Sequence, residues 1–240
     1  LITNNFKKNN NIYAINSKNN IFTINLNKKT KTRNILYEYI FLLVKPNIFK
    51  KDSNKFKIYI SNNSKIVSCM AGIKISTISR LLDTKKVIRI MPNILAKQGK
   101  SQTFIFAKNK RLLDIKFNNL MQSFGSCNYT SNEDHINIAT AVFGSGPAFI
   151  ALLINSYILA AKNLSKNAKL KDTDLINLFI NVLSTNLNSE ELDIFINSIA
   201  SKKGTTQAGI KFLKSQNIKK TIYTTLDRAY KRAKELSIEK

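Results

Sequence analysis

Two short segments of the 240-residue chain combine glycine with small, hydroxyl-bearing residues. One is GSGPAF at 144–149 and the other is SKKGTTQAG at 201–209, and each directly precedes a run with helical spacing. The first backbone N–H groups of a helix have no intrahelical partner, and glycine lets a ligand approach them closely. Both segments therefore predict a pocket for an anion, either a carboxylate or a phosphate.

Side chains that perform acid–base or metal chemistry are scarce. His135 is the single histidine, so a multi-histidine metal site is excluded and a Cys/His zinc site lacks ligands. No G-x-S-x-G motif accompanies it, which argues against a Ser-His-Asp hydrolase. We interpret His135 as a polar residue near a helix start and Cys69 as a buried small hydrophobe. An enzyme with this inventory needs a cofactor that carries the reaction, and no side chain is assigned as catalytic.

Charge and cysteine content indicate the partners and the compartment. The formal charge is +25, but the lysines are dispersed among many Asn and Ile residues, so we attribute them to biased codon composition rather than to a nucleic-acid interface. No uninterrupted apolar run reaches the roughly 20 residues that cross a bilayer. Two cysteines are too few for a disulfide framework, which fits a reducing compartment. These features predict a soluble cytoplasmic protein without a nucleic-acid or membrane partner.

The first half of the chain alternates short apolar runs with polar or helical stretches. Near-continuous apolar runs are typical of strands that are buried on both faces of a parallel sheet. Helical spacing at 76–82 and 112–124 lies between such runs, which predicts an α/β layer architecture. The predicted strands are 12–16, 39–44, 65–71, 87–91 and 103–107.

From about Glu133 onward the strand pattern ends and helical periodicity takes over. Asp172 and Ser189 are predicted N-caps. The segment 148–161 is apolar almost all round, so more than one neighbour must cover it. We expect a second copy of the chain to supply that cover, with an intrachain bundle core as the alternative. The predicted helices are 148–164, 172–187, 190–200, 206–216 and 218–236.

Five separate motifs follow one another in a fixed order. They are LVKP at 43–46, SCMAG at 68–72, RIMPN at 89–93, GSGPAF at 144–149 and S-x-x-G-T-T-x-A-G at 201–209. Any one of them alone is a weak signal, whereas five in register are specific. Together with a closing helix over 230–236, they make the chain resemble the pyrroline-5-carboxylate reductases, the enzymes that make proline. The resemblance spans nearly the whole chain.

The resemblance implies a fold and a reaction. Residues 1–131 are expected to form a Rossmann-like dinucleotide-binding α/β domain around a parallel sheet, and 132–240 a helical domain that binds substrate and builds a homodimer or a larger assembly of dimers. The implied reaction is hydride transfer from NADPH or NADH to the C=N carbon of 1-pyrroline-5-carboxylate, giving proline. Because this cyclic imine is readily protonated, the enzyme mainly aligns the nicotinamide and holds the substrate carboxylate.

The resemblance also assigns the site residues. The two glycine segments are expected to meet beside the nicotinamide and to hold the substrate carboxylate, while capping of a helix is the alternative role of the threonines. An acidic residue near the substrate is expected as well, although an ordinary first-turn glutamate would look identical. The expected substrate contacts are Glu133, Ser145, Ser201, Gly204, Thr205 and Thr206. The expected cofactor contacts, at the carboxyl ends of strands, are Leu43, Val44, Lys45, Pro46, Cys69, Met70, Ala71, Met91, Pro92 and Asn93.

The dinucleotide-binding half departs from the family at its start. No G-x-G-x-x-G loop occurs in the sequence, and residues 1–2 read as the middle of the first helix. We expect either that the sequence is clipped at its start or that the gene has decayed, and in either case the central strand of the sheet is expected to be missing. The stretch 17–37 is compressed, which leaves Asn16 or Ser17 as candidate ribose or 2′-phosphate contacts and the choice between NADP and NAD open.

The substrate half departs at two places. Lys202 and Lys203 stand where the family has Pro-Gly, and Phe143 stands where it has serine. A lysine pair attracts a carboxylate but loosens a turn that proline and glycine would fix, so we expect weakened rather than altered chemistry. Two other functions are therefore kept beside an active reductase. They are a non-catalytic or impaired relict that retains the helical dimer, and a basic nucleic-acid binder supported by charge alone.

Overall fold

The computed structural model of the chain describes residues 37–165, 169–185 and 188–238, together with two strands at 14–16 and 23–25. The predicted first helix at residues 1–2, the first residues of the predicted strand 12–16, and Ser17 lie outside these residues. The chain divides into two compact units. The α/β unit comprises Leu1–Ser145 with Ala229–Lys240, and the helical unit comprises Gly146–Arg228.

A five-stranded sheet forms the centre of the α/β unit. Its strand order is β3-β4-β5-β6-β7, and β3, β4 and β5 run parallel, as predicted. A separate pair, β1 and β2, is also parallel. The strands are β1 Ala14–Asn16, β2 Thr23–Asn25, β3 Tyr39–Leu42, β4 Lys65–Ser68, β5 Val87–Met91, β6 Ser101–Ala107 and β7 Gly125–Tyr129.

The sheet differs from the parallel prediction at β6, which runs antiparallel to β5. Only the segment 92–100 joins these strands, and it contains a short 3-10 helix, Ile94–Gln98, and a turn at Gly99 with φ of +70°. A parallel connection needs a crossover of a dozen or more residues, so this link returns the chain as a neighbour of opposite direction. Strand β7 was not predicted because its sequence, GSCNY, lacks an apolar run.

Helices cover both faces of the sheet. Helix α1 spans Pro46–Lys57 and α2 spans Ile75–Leu82, and both pack on the face that carries Ile66. Helix α3, Ile115–Gln122, packs on the other face, where Phe117 and Met121 are fully buried. The predicted helix 112–124 begins later than expected, because Asp114 caps α3 by accepting a hydrogen bond from the Phe117 N–H at 2.9 Å. A short helix α4, His135–Ala139, closes this part of the unit.

The helical unit begins at Gly146, after the helical turn Thr140–Gly144 that follows α4. The predicted domain boundary, between residues 131 and 132, lies before α4. The helices of the helical unit are α5 Gly146–Leu164, α6 Asp172–Leu183, α7 Ser189–Ile199, α8 Thr205–Ser215 and α9 Ile218–Ile238, the last of which ends in the α/β unit. The predicted N-caps Asp172 and Ser189 are wrong by one residue. Asn188 caps α7 instead, in a reciprocal capping box with Glu191, and Lys171 precedes α6 without a side-chain cap.

The helices of the helical unit leave their apolar side chains exposed. Among its described residues only Gly146 is buried, although Tyr157 of α5 and Phe179 of α6 meet edge to face at 5.2 Å. Leu152 is 63% exposed, and similar side chains recur on every helix. A single copy of this unit therefore lacks a core, which favours the predicted cover by a second chain over an intrachain bundle core. Examples are Ile150, Leu159, Ile180, Leu183, Ile194, Ile199, Phe212 and Leu213.

One described stretch, His135–Leu164, is long and apolar enough to cross a membrane by length and composition, and 28% of an 18-residue apolar window within it is buried. A single stretch of this kind is weak evidence for a membrane span, because apolar helices in the core of soluble proteins have the same length and composition. The other helices of the unit also carry exposed apolar side chains, which need cover in the same way.

Candidate active site

Three loops that follow parallel strands lie at one edge of the sheet. Residues 43–46 follow β3, 69–72 follow β4 and 91–93 close β5. The register pairs Leu42 with Ser68 and Ser68 with Arg89, and the Cys69 N–H donates to the Leu42 carbonyl at 3.1 Å. All ten predicted cofactor residues therefore lie side by side at the carboxyl edge, where open α/β sheets bind ligands.

The first of these loops leads directly into a helix. Leu43 is 54% exposed, Val44 packs against the core, and Lys45 is the extended residue before α1. Pro46 occupies the first helical position, where the missing N–H costs nothing. Lys45 makes no side-chain cap, and Asn47 Oδ1 accepts the Ile48 N–H at 2.9 Å, so this loop offers one lysine and an apolar side chain at the sheet edge.

The second and third loops are more buried. Met70 is 2% exposed and donates its N–H to Ser68 Oγ at 3.3 Å, and the chain then turns at Gly72, where φ is +70°. Cys69, predicted as a buried small hydrophobe, is partly buried and packs against the core, and burial raises the pKa of its thiol to about 12, so this thiol stays protonated. Asn93 is buried, caps the short helix that follows, and donates its N–H to Ser101 Oγ at 3.0 Å.

An ion pair between a buried arginine and a partly exposed glutamate connects β5 to the segment before α4. Arg89, in the middle of β5, is 1% exposed, and its Nη1 donates to Glu133 Oε1 at 2.9 Å. The same oxygen accepts the Ile75 N–H, the first of α2, at 2.7 Å. Burial lowers the pKa of Arg89 from its ordinary value, while the hydrogen bond and charge of Glu133 oppose that shift. Glu133, predicted as a substrate contact, therefore joins a helix start to a strand.

The GSG segment follows an irregular helical turn. Residues Thr140–Gly144 form a π-helical turn, a feature often found at functional sites. Ser145 closes this turn, because its N–H and its Oγ both donate to the Thr140 carbonyl, at 2.9 and 3.2 Å. Phe143 packs its ring 4.9 Å from that of Phe104 and adds to the cluster around Met91.

The C-terminal end of α9 is fixed to the same region. The Tyr230 hydroxyl donates to Asp134 Oδ2 at 2.7 Å, and this hydrogen bond is the main reason that the pKa of Asp134 lies below its ordinary value. His135 is exposed, and its Nδ1 lies 2.7 Å from Thr130 Oγ1. The interpretation of His135 as a polar residue at a helix start agrees with this position.

The second glycine segment lies in the helical unit, as a turn that starts α8. The Gly204 N–H donates to the Ser201 carbonyl at 3.0 Å, and Gly204 is the residue before the helix, with no side-chain cap. An added Cβ on Gly204 would lie 2.4 Å from Ser201 Oγ, so a larger residue requires the Ser201 hydroxyl to move. Thr205 and Thr206 therefore open α8 with free backbone N–H groups, an arrangement that binds anions. Lys203 has φ of +61°, in the left-handed region that favours glycine.

The sequence prediction missed one residue of this region, Arg89. It lies within the RIMPN motif, but an arginine inside an apolar strand gave no indication of its partner. The useful signal was its position in the strand, because side chains alternate between the faces of a sheet and Arg89 shares a face with the core residues Val87 and Met91. A charge on such a face needs a buried partner.

Comparison with known proteins identifies the family. A family model described as pyrroline-5-carboxylate reductase dimerisation matches residues 133–236. A pyrroline-5-carboxylate reductase from Staphylococcus epidermidis is 34% identical over 209 residues, which cover 83% of this chain and 75% of the relative. The enzyme of the same name from Staphylococcus haemolyticus is 35% identical with the same coverage.

Solved structures agree in fold. A Plasmodium falciparum pyrroline carboxylate reductase with NADP bound superposes with a TM-score of 0.72 at 23% identity, covering 83% of this chain and 77% of that one. A 1-pyrroline-5-carboxylate reductase from Streptococcus pyogenes gives a TM-score of 0.70 at 25% identity, covering 82% and 76%. The superposed regions extend well beyond the part that the family model matches.

Proposed function

The chain belongs to the pyrroline-5-carboxylate reductase family, and from this premise we propose that it reduces 1-pyrroline-5-carboxylate to L-proline with a hydride from NADPH or NADH, the last step of proline synthesis. The observation that carries the proposal is the alignment of three strand-end loops at the carboxyl edge of β3, β4 and β5. Similarity to relatives covers 83% of the chain, so a relict that kept only the helical dimer is not favoured.

We assign the nicotinamide cofactor to that edge. The loops fit such a group because they present backbone amides, the apolar side chain of Leu43 and, as their one charged residue, Lys45, with no carboxylate to repel phosphates. When bound, the nicotinamide supplies the hydride. Cys69–Ala71 and Met91–Asn93 would hold the nicotinamide and orient it for hydride transfer. The choice between NADP and NAD stays open.

We assign the substrate carboxylate to the start of α8. The amides of Thr205 and Thr206, their hydroxyls and that of Ser201 form a neutral set of hydrogen-bond donors, and a helix N-terminus favours a negative charge. Ser145 is proposed as a further substrate contact. The proposed cofactor contacts are Leu43, Val44, Lys45, Pro46, Cys69, Met70, Ala71, Met91, Pro92 and Asn93.

The proposed reaction requires no proton transfer from a protein side chain. The hydride adds to the C=N carbon, and the ring nitrogen carries a proton that the basic imine takes from solvent. None of the residues assigned here is needed as a general acid, which agrees with an exposed His135 and a protonated Cys69 thiol. The proposed role of the site side chains is to bind and orient the imine and the cofactor, which requires few acid–base residues.

The assembly that we propose is a homodimer, or a larger assembly of dimers, built through the helical unit. The exposed apolar side chains of α5 to α8 need a partner surface, and the family model that covers these helices describes dimerisation. We further propose a soluble, cytoplasmic enzyme without a nucleic-acid partner. Two free cysteines and an apolar surface explained by dimerisation support this assignment.

Two glycines of the same region provide the experiment. Gly204→Ala is expected to raise the KM for 1-pyrroline-5-carboxylate about tenfold and to leave the KM for NAD(P)H within twofold, because the added Cβ, 2.4 Å from Ser201 Oγ, forces this proposed carboxylate donor to move. Gly209→Ala is the matched control, since nothing lies within 4 Å of its added Cβ. Steady-state NAD(P)H oxidation gives both constants. An unchanged imine KM in Gly204→Ala would contradict the assignment of the carboxylate.

A further inference from the structure

The Arg89–Glu133 pair connects the elements from which two cofactor loops arise. Ile75, the donor from α2, follows the Gly72 turn and so fixes the far end of the loop 69–72. Arg89 lies two residues before Met91, where the loop 91–93 begins. A single carboxylate oxygen, Oε1 of Glu133, receives hydrogen bonds from both Ile75 and Arg89. Pairing of β4 with β5 holds the strand ends together, and Glu133 adds a side-chain link between the helix after the first loop and the strand before the second.

The arginine has little else to hold it. Its Nε and Nη2 are buried and have no hydrogen-bond partner among the described residues, so the guanidinium is anchored through Nη1 alone. It lies on the face of the sheet that carries Val87 and Met91, which are core residues. Such a buried charge is tolerated only opposite a fixed counter-charge, so the positions of Arg89 and Glu133 are coupled.

We propose that Arg89 and Glu133 are positioning residues, which set the spacing of the two loops that receive the nicotinamide and do not themselves touch the substrate. This inference rests on the proposed function for the identity of the ligand. Glu133 then supports the cofactor loops instead of contacting the substrate. Arg89 affects the reaction only through the loops 69–72 and 91–93.

The chain contains a matched control at the opposite edge of the sheet. Lys65, the first residue of β4, forms an ion pair with Asp114, and Asp114 Oδ1 accepts the Phe117 N–H at the start of α3. Like Glu133, Asp114 thus joins a strand residue to a helix start, but at the amino edge, away from the cofactor loops. Asp114→Asn and Glu133→Gln are equivalent changes, because each removes the charge and keeps the acceptor for the helix N–H.

The experiment measures the dissociation constant of NADPH by its fluorescence, the KM of the imine and the melting temperature, all on the full chain. Glu133→Gln and Arg89→Lys are expected to raise the NADPH constant about fivefold or more with the imine KM within twofold, and Asp114→Asn to change neither. The double variant Arg89→Met/Glu133→Gln leaves no unpaired buried charge, so its melting temperature is expected to recover while its NADPH constant stays raised.

Three results would overturn the inference. The first is an NADPH constant that recovers together with the melting temperature in the double variant, because the pair would then act through stability alone. The second is an equal loss of NADPH affinity in Asp114→Asn. The third is an imine KM that rises alone in Glu133→Gln, which would place Glu133 on the substrate. If the unmutated protein binds NADPH but forms no proline, the proposed function is refuted. The effect of the Arg89–Glu133 pair on NADPH binding can still be tested in that case.

Discussion

The α/β unit and the helical unit bury their apolar residues in different ways. In the α/β unit, side chains such as Phe49, Phe117 and Ile66 have no exposed surface, and helices cover both faces of the sheet. In the helical unit, Gly146 is the one buried residue among those described, and Leu152 and Ile194 are each more than 60% exposed. The first unit carries its core within one chain, whereas the second completes its core by pairing.

This difference has a consequence for the two proposed binding sites. Loops at a sheet edge are positioned by a core that is complete in one chain, so the cofactor edge can be set by contacts within one chain, such as the Arg89–Glu133 pair. The start of α8 belongs to a unit that needs a partner for its stability, so the carboxylate turn at 201–206 is expected to form only in the assembly. Dinucleotide binding and imine binding should therefore respond differently to dissociation.

The largest expected effect comes from placing a charge on the exposed apolar surface of the helical unit. Leu152→Asp is expected to weaken self-association by about a hundredfold or more, because the assembly would have to bury an unpaired carboxylate. Imine reduction should be lost with it. Sedimentation velocity measures the assembly. Ile115→Asp is the control, since Ile115 is 79% exposed on α3 of the other unit, and a Leu152→Asp protein that remained associated would contradict the comparison.

The next effect tests the core of the α/β unit. Phe117→Ala is expected to lower the free energy of unfolding by about 3–5 kcal/mol at any protein concentration, because Phe117 is fully buried against the sheet within one chain. Ile115→Ala, two residues earlier on the same helix, should cost less than about 1 kcal/mol. Urea denaturation at two protein concentrations provides the measurement. A loss that shrank as the concentration rose would show that this core also depends on assembly.

The smallest effect concerns the strained turn before α8. Lys203 has φ of +61°, so Lys203→Gly is expected to stabilise the protein by about 0.5–1 kcal/mol and to raise turnover modestly. Thermal denaturation and steady-state assays check both. Lys202→Gly is the control, because Lys202 has no positive φ and should gain nothing. No gain in turnover for Lys203→Gly would refute the expectation that the lysine pair weakens the chemistry.

The elements that the sequence predicted well are those with a strong apolar period. The runs at 39–44, 65–71 and 87–91 became β3, β4 and β5. Strands β3 and β4 end earlier than their runs, β5 matches its run, and α5 covers its predicted range. The direction of β6 could not be predicted from the sequence, because its apolar run, TFIFA, fits a parallel and an antiparallel strand equally well. Helix starts were missed where a neighbouring side chain took the cap, as Asn188 did beside Ser189.

The site was predictable in its backbone and less so in its side chains. Motif spacing placed the loops after strands, and the structure puts those loops side by side because β3, β4 and β5 are adjacent and parallel. The partners of Glu133 were not predictable, since Ile75 and Arg89 are distant in sequence and meet only when α2 packs on the sheet. Contacts of this kind depend on tertiary packing, which no local period encodes.

The most direct test of the account follows the hydride. The purified chain is incubated with 1-pyrroline-5-carboxylate and NADPH or NADH deuterated at the transferred position of the nicotinamide, and mass spectrometry locates the label. The account predicts one proline formed for each cofactor oxidised, with deuterium on the carbon that was part of the C=N bond. Cofactor oxidation without proline, or proline that carries no deuterium at that carbon, would contradict it.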